Sequence, residues 1–433
     1  MIVNNRQGNP GDQRNTNLRF RGFFYYGNQM MQRYQEIGWE EYILRFFHLS
    51  DLHIGKQLYG YSLLEDQEWI LDKILQKVKE RKPDGVLLCG DIYDKSVPSG
   101  EAVTVFDRFL CRLTEISPKM PVLMISGNHD SPERLSFAGT ILERQKVFVE
   151  GLPPVKEEEH IKKVILEDGW GPVEFWLLPF VKPGYVKEVF GGKEPESYQE
   201  AVQGLLEREM LLEKPDKKVR KVLLTHQFFT ASGEKPKQSE SETIIVGGLD
   251  QVDIGCLKDF DYVAMGHIHR PQSMGKPWIY YCGTPLQYSV SEWNQRKYLT
   301  EIELREPGSE PKIVLHELQP LREVRVLRGT LEEILEATGG VISEDYVSVT
   351  LTDEQEPYQP RERLETLFPR LLEVKMDNGR MNMLLQEEET EDTVTDPREV
   401  FQRFFSRMQG REMEKEEEEI MEQVFQKVGE EEI

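Results

Sequence analysis

Pro83-Asp84-Gly85-Val86-Leu87-Leu88-Cys89-Gly90-Asp91-Ile92-Tyr93-Asp94 decides the fold. A turn opens into the apolar run Val86–Cys89, which stops at Gly90-Asp91. The run has no polar alternation, so it reads as a strand covered on both faces. Upstream, Glu65–Arg81 carries Trp69, Ile70, Ile74, Leu75 and Val78 at helical spacing. Before that, the apolar strand Leu44–Leu49 ends in Ser50-Asp51-Leu52-His53. Downstream, the helical stretch Glu101–Leu113 leads to the run Val122–Ile125, which ends at Gly127-Asn128-His129-Asp130. Strand–helix–strand–helix–strand predicts an α/β domain with a largely parallel sheet. Each polar cluster falls at a carboxyl end of a strand, the edge where open α/β sheets build their sites.

The pattern continues outward. Lys162–Leu166 and Val173–Leu178 flank Asp168-Gly169 as a hairpin, and Tyr198–Leu212 is a helix. Val222–Thr225 ends at His226, and Tyr262–Met265 ends at Gly266-His267-Ile268-His269. Leu299–Leu304 and Ile313–Leu318 form a second hairpin. From Val324 a smaller βαβαβ pattern runs through Leu331–Ala337, Tyr346–Leu351, Arg361–Phe368 and Leu371–Val374. The expected boundaries are a main domain over 44–320, a small α+β domain over 321–385, and an acidic linker with helices over 386–433.

Residues 1–43 have another texture, with no lysine and 11 Asn or Gln. They lack the basic and apolar regions of a signal peptide. The expectation is an N-terminal extension without structure. Alternatively translation starts near Leu44, since Gly38-Trp39-Glu40-Glu41 is encoded by purine-rich codons of the ribosome-binding kind.

Of the 433 residues 38% are hydrophobic, enough for real cores. No apolar run approaches the ~18–20 residues of a membrane helix, so no membrane partner is expected. The four cysteines (Cys89, Cys111, Cys256, Cys282) form no CxxC pair, which argues against a thiolate zinc site and suits a reducing cytoplasm. The net charge of −23 weighs against a nucleic-acid ligand, but Glu387–Ile433 alone carries 17 acidic and 6 basic residues. Nearly half the excess therefore sits in the tail. No GxxxxGK occurs, so a nucleotide-driven reaction would need a partner's ATPase.

Histidine placement is the sharpest signal. Of eight histidines, His53, His129, His226, His267 and His269 stand at strand ends with Asp51, Asp91 and Asn128. One such histidine is usually structural; five at the ends of one sheet point to a metal centre. Imidazole, carboxylate and carboxamide without thiolate suit borderline-to-hard divalent ions such as Mn²⁺, Fe²⁺ or Zn²⁺. Seven candidate ligands exceed one ion's share and suit two ions bridged by a carboxylate. His48 is expected beneath the site; His160 and His316 are expected to be exposed.

The motifs DLH (51–53), GDIYD (90–94), GNHD (127–130), His226 and GHIH (266–269) resemble, in order, the five-motif pattern of the calcineurin-like metallophosphoesterases. Residues 45–55, 261–272 and 281–289 narrow the likeness to the SbcD family, the nuclease subunits of bacterial SbcCD complexes. Leu321-Arg322-Glu323 and Arg328-Gly329-Thr330-Leu331 resemble that family's capping domain. Asp396-Pro397 with Phe401, Phe404 and Phe405 resembles its partner-binding helices, and Met408 continues the stripe at helical spacing.

The resemblance implies a β-sandwich flanked by helices. One ion falls to Asp51, His53, Asp91 and His269, the other to Asp91, Asn128, His226 and His267. His129 becomes the candidate acid for the leaving oxygen, with Asp94 and Asp130 as candidates to support it. The implied activity is Mn²⁺-dependent DNA hydrolysis on double-strand ends and hairpins. The implied partner is an SbcC-like ATPase, with a homodimer inside a heterotetramer. A phosphoesterase for a small molecule or phosphoprotein is the competing reading, and a non-catalytic scaffold a third. Lys56, Lys95, Arg134 and Arg270 are the candidate cations of a DNA groove.

Overall fold

The computed structural model describes residues 43–377 apart from 119, 213–217, 243–249 and 356, together with 23–25 and scattered positions between 401 and 425. The chain divides into two compact units. The larger is Met1–Val326 with Glu344–Ser348, and the smaller is Leu327–Ser343 with Val349–Ile433.

In the larger unit the strands are Arg45–Leu49 (β1), Gly85–Cys89 (β2), Val122–Ile125 (β3), Val147–Glu150 (β4), Lys162–Asp168 (β5) and Gly171–Leu178 (β6). They continue with Arg220–His226 (β7), Tyr262–Gly266 (β8), Lys276–Tyr281 (β9), Lys297–Glu303 (β10) and Lys312–Leu318 (β11). The helices are Leu64–Arg81 (α1), Gly100–Ile116 (α2) and Tyr198–Leu212 (α3).

Two sheets form, where the residue pattern suggests one. The first has the order β11-β10-β1-β2-β3-β4, with β1 to β4 parallel and β10 antiparallel to β1. In the second, β5-β6-β7-β8-β9 lie between the short strands Phe23–Tyr25 and Gln272–Met274. Its centre, β6 to β9, is parallel. Within the first 42 residues, Phe23–Tyr25 pairs in parallel with β5, so those three depart from the expectation of an extension without structure.

The continuous apolar runs follow from burial on both faces. Along β7, Val222 and Leu224 face a cluster shared with the first sheet's Phe46, Leu87 and Leu123, while Leu223 faces a second cluster containing Leu205 of α3. Tyr262 and Ala264 of β8 join the first cluster; Val263 and Met265 join the second. Phe46 meets Phe175 edge-on at 5.5 Å, locking the two sheets face to face. The result is a sandwich with helices outside it, as the resemblance implies. Helix α1 buries Ile70, Leu71, Ile74, Leu75 and Val78. Trp69 is the exception to the expected stripe: it is 39% exposed and donates from Nε1 to the Gln319 carbonyl at 3.1 Å.

The chain continues with Val324–Gly329 (β12), Leu331–Ala337 (α4), Tyr346–Leu351 (β13), Pro360–Glu365 (α5) and Arg370–Met376 (β14). The sheet order is β12-β13-β14. A capping box starts α4: Thr330 Oγ1 accepts from the Glu333 amide at 3.3 Å, and Glu333 Oε2 accepts from the Thr330 amide at 2.8 Å.

A buried ionic contact anchors the Asp168-Gly169 turn in the larger unit. Arg220 is 1% exposed and grips the fully buried Asp168 carboxylate, with Nη1 to Oδ2 at 3.0 Å. Asp168 also accepts from the Leu44 amide at 3.1 Å, and Arg220 donates to the carbonyls of Arg305 at 3.0 Å and Gly171 at 2.9 Å. The Asp168-Gly169 turn is therefore an internal anchor. Arg220→Met strands a buried carboxylate and is expected to cost about 3–5 kcal/mol in urea unfolding. The double variant Arg220→Met/Asp168→Leu should lose less than the sum of the single variants. Strict additivity would show that the two groups act independently.

Candidate metal centre

The strand ends that carry the motif residues turn sharply. Asp51 (φ 52°), His53 (φ 42°), Asp91 (φ 49°) and His267 (φ 96°) all have left-handed backbones. Such strain costs of order 1–3 kcal/mol per residue and persists where surrounding structure enforces it. Glycine precedes three of the motif residues because nothing larger fits. A Cβ on Gly90 would lie 2.3 Å from His226 Nδ1, one on Gly127 would lie 2.1 Å from Asp91 Oδ1, and one on Gly266 would lie 2.0 Å from the Cys89 carbonyl oxygen.

The turns bring the two sheets' strand ends together. Asp51, His53 and Asp91 follow β1 and β2; Asn128 and His129 follow β3. In the opposite sheet, His226 ends β7, and His267 and His269 follow its neighbour β8. His226 Nδ1 donates to the Cys89 carbonyl at 2.8 Å, and the His267 amide donates to Asp51 Oδ1 at 3.0 Å. The main-chain loops are laced too: the Asp51 amide donates to the Gly90 carbonyl (3.0 Å) and the His53 amide to the Asp91 carbonyl (2.9 Å).

Three donor groups result among the described residues. Asp51, His53 and His269 bring ligand atoms within 4.8 Å of one another, as do Asp51, Asp91 and His226, and His53, Asp94 and His129. Asp51 belongs to the first two, and Asp91 Oδ2 also faces both, 3.7 Å from His53 Nε2 and 3.3 Å from His226 Nε2. Asn128 Oδ1 lies 3.1 Å from His226 Nε2 and 2.9 Å from His267 Nδ1. His53 Nε2 and His269 Nε2 face each other at 3.2 Å. All seven side chains predicted as ligands are thus gathered, all but Asn128 of them buried.

The electrostatics fit a cation. Burial works against charge on His226, yet Asp91 and Asp51 raise its pKa to about 9. Burial lowers His53 well below the ordinary imidazole value and, with His226 beside it, brings His267 to about 3. Burial pushes Asp51 up, while for Asp91 the neighbouring imidazoles outweigh burial and hold it well down. The centre thus combines carboxylates with lone-pair imidazoles, and His226 carries a proton that a metal ion would replace. His53 Nδ1 is buried without a hydrogen-bond partner. The donors are N and O only, the set of divalent ions rather than of a thiolate site.

The supporting residues differ in detail from expectation. His129 Nδ1 donates to the main-chain carbonyl of Asp94 at 2.9 Å, so Asp94 orients this ring through its backbone. The Asp94 carboxylate accepts from Lys56 Nζ at 2.9 Å and stands 3.7 Å from His53 Nδ1. Asp130 orients no imidazole through its carboxylate. That group accepts from the amides of Ile92 (3.1 Å), Tyr93 (3.0 Å) and Gly127 (2.9 Å), clipping two motif loops together. Burial and Asp91 raise Asp130 to about 6.

His48 lies buried beneath the site and bonds Tyr262 Oη at 2.9 Å. His160 is exposed, as expected, beside Glu209. His316 corrects the reading: its side chain is 16% exposed because Glu301 binds it at 2.6 Å. Lys95, Arg134 and Arg270 are exposed, whereas Lys56 is committed to Asp94. Phe404 and Met408 lie outside the described residues. Phe401 meets Phe425 edge-on, with ring centroids 6.1 Å apart.

Sequence reading missed Gln67, whose Nε2 donates to the His53 carbonyl at 2.8 Å and whose Oε1 accepts from the Gly55 amide at 2.9 Å. A glutamine one turn ahead of Ile70 and Leu71, and two ahead of Ile74, on a buried stripe was the available signal. Phe180, stacked on His267 at 6.4 Å, was missed as well. So were Ser241, which bonds His269 Nδ1 at 2.6 Å, and Glu242, which accepts from the His269 amide at 2.8 Å. No spacing marks these three.

The calcineurin-like phosphoesterase family matches residues 44–271, and the type 5 capsule protein repressor C-terminal domain matches residues 318–409. A curated relative from Staphylococcus epidermidis, the SbcD component of the nuclease SbcCD, is 33% identical over 334 residues, covering 76% of this chain and 84% of its own. The protein of the same name from Staphylococcus saprophyticus is 28% identical over 368 residues, covering 85% and 94%. Among solved structures, TT1561 of Thermus thermophilus aligns with a TM-score of 0.39 at 15% identity, over 64% of this chain and 100% of that one. With the motif residues of two sheets gathered at one buried centre, the chain belongs to the calcineurin-like phosphoesterase family, and within it to the SbcD family of SbcCD nucleases.

Proposed function

We propose that this chain is the nuclease subunit of an SbcCD-type complex and hydrolyses DNA phosphodiesters at a pair of Mn²⁺ ions. The observation that carries this is Asp91, whose Oδ2 stands within 3.7 Å of His53 and 3.3 Å of His226, imidazoles from opposite sheets. A dinuclear divalent-metal site follows from the phosphoesterase domain. Asp51, His53, Asp91 and His269 would hold one ion; Asp91, Asn128, His226 and His267 the other. When bound, such a pair acidifies a water and neutralises charge on the attacking and leaving oxygens.

The chain's own groups do the rest. His129 Nδ1 is engaged by the Asp94 carbonyl, which directs Nε2 to donate a proton to the leaving oxygen as its bond to phosphorus breaks. Lys56 takes up charge on Asp94, and Asp130 holds the loops on which His129 and Asp91 sit. The His129 amide donates to Asp91 Oδ1 at 2.8 Å, which ties the backbone of the proposed acid to the proposed shared carboxylate.

The relatives' name supports an SbcC-like ATPase as partner. Double-stranded DNA ends and hairpins are the proposed substrates. The assembly would be a homodimer within a heterotetramer, in the cytoplasm. Phe401, Phe404, Phe405 and Met408 would dock the ATPase, and the chain would divide at 320 and 385 into nuclease, cap and docking segments. No helix among the described residues is long and apolar enough to cross a membrane.

The deciding experiment is Mn²⁺-supported digestion of end-labelled duplex DNA, with and without the ATPase partner. Cleavage should fall steeply with salt, as phosphate contacts require. Hydrolysis of a small phosphomonoester with no cleavage of DNA would favour the competing phosphoesterase reading. Asp91→Asn should lose more metal than His53→Ala or His269→Ala, each of which should weaken chiefly one site. Metal counting that finds two ions retained in Asp91→Asn, at normal turnover, would end the bridging role. His129→Gln should keep both ions and lose turnover by roughly 10²–10⁴-fold, the range of general acid catalysis. The loss should shrink on a nitrophenyl phosphodiester, whose leaving group needs no proton.

A further inference from the structure

We infer that Ser241, Glu292 and Lys297 form a positioning relay that fixes the ring and tautomer of His269 for one ion of the pair; the inference rests on the metal-centre reading proposed above. Every polar atom of His269 on the side away from the centre is engaged. Its amide donates to Glu242 Oε1 at 2.8 Å, and its carbonyl accepts from Lys297 Nζ at 3.1 Å. Its Nδ1 meets Ser241 Oγ at 2.6 Å. Ser241 Oγ in turn donates to Glu292 Oε1 at 2.6 Å, and Lys297 Nζ donates to Glu292 Oε2 at 2.5 Å.

The directions of these bonds are forced. Lys297 keeps Glu292 ionised, so the carboxylate only accepts and the Ser241 hydroxyl proton is committed to it. Ser241 Oγ can then only accept from His269, which places the imidazole proton on Nδ1. That leaves the Nε2 lone pair facing the centre, where His53 Nε2 lies 3.2 Å away. A carboxylate behind the ring also raises its basicity as a ligand.

Glu292 is fully buried and Lys297 nearly so. A buried ion pair is seldom better for stability than apolar residues of the same volume, so stability alone gives little reason to keep it. The contrast with the other imidazoles supports a role at His269. His226 Nδ1 is held by a strand carbonyl, and His53 Nδ1 has no hydrogen-bond partner. His269 alone among them depends on side chains from two outside segments.

The test is Mn²⁺ titration of the full chain by calorimetry and electron paramagnetic resonance. Ser241→Ala leaves the Glu292–Lys297 pair intact and should fold with an unchanged melting temperature. It should weaken one ion about 10–100-fold and leave the other at its wild-type affinity. Ser241→Thr, which restores the hydroxyl, should recover most of the loss, and Glu292→Gln should weaken the same ion. Wild-type affinity at both ions in Ser241→Ala overturns the relay. Equal weakening of both ions overturns it too, because that is the mark of a general structural role. Wild-type protein that fails to bind two ions would instead overturn the metal-centre reading, an outcome visible without any variant.

Discussion

The bond from His226 Nδ1 to the Cys89 carbonyl joins the two sheets at the level of the metal centre, and the rest of the site depends on it. A histidine that ends β7 reaches across the sandwich to the last residue of β2. This fixes its Nδ1 as the donor and turns Nε2 toward Asp91 and Asn128. The approach is possible only because Gly90, Gly127 and Gly266 have no side chains where the strands end. A Cβ at any of them would come within 2.3 Å of His226, Asp91 or the Cys89 oxygen. The glycines in GD, GN and GH are thus the clearance that lets two sheets close over one set of ligands.

That closure explains where strain is tolerated. Asp51, His53, Asp91 and His267 adopt left-handed backbones, while the amides of Asp51, His53 and His267 bond across the loops to Gly90, Asp91 and Asp51. The Asp130 carboxylate supplies three further restraints from the loop after β3. Stability lost in the backbone is offset by the sandwich beneath, where Phe46, Phe175 and Tyr262 pack between the sheets. An acidic balance of −23 is compatible with such a centre, because its charges are paired internally and much of the excess lies beyond Glu387.

Much of this was legible in the sequence, for a physical reason. Strands buried on both faces must be continuously apolar, so Val86–Cys89, Val122–Ile125, Val222–Thr225 and Tyr262–Met265 announced themselves, and polar residues at their ends could only belong to loops. Their grouping into two sheets was not legible. Both sheets have parallel centres, so β1–β3 and β7–β8 share one pattern, and only the five-motif resemblance implied a sandwich. Trp69 fitted the helical period of α1 yet faces outward, because periodicity cannot tell a stripe from its edge. The Asp168–Arg220 pair was invisible because an Asp-Gly turn looks the same whether its carboxylate is solvated or enclosed.

Three histidines at the site, His226, His129 and His269, have Nδ1 engaged outside the proposed ligand set, and they are held by different means. His226 leans on the carbonyl of a central strand, and His129 on the Asp94 carbonyl, which follows closely on the Ile92 and Tyr93 amides that Asp130 secures. Their geometry is therefore as durable as the sandwich itself. His269 is held by a hydroxyl and a carboxylate from segments outside the sheet, Ser241 and Glu292. Side-chain restraints of that kind can be lost without unfolding a strand. The restraints on His269 are therefore separable from those on His226, while Asp91 Oδ2 stands 3.7 Å from His53 Nε2 and 3.3 Å from His226 Nε2, facing both halves.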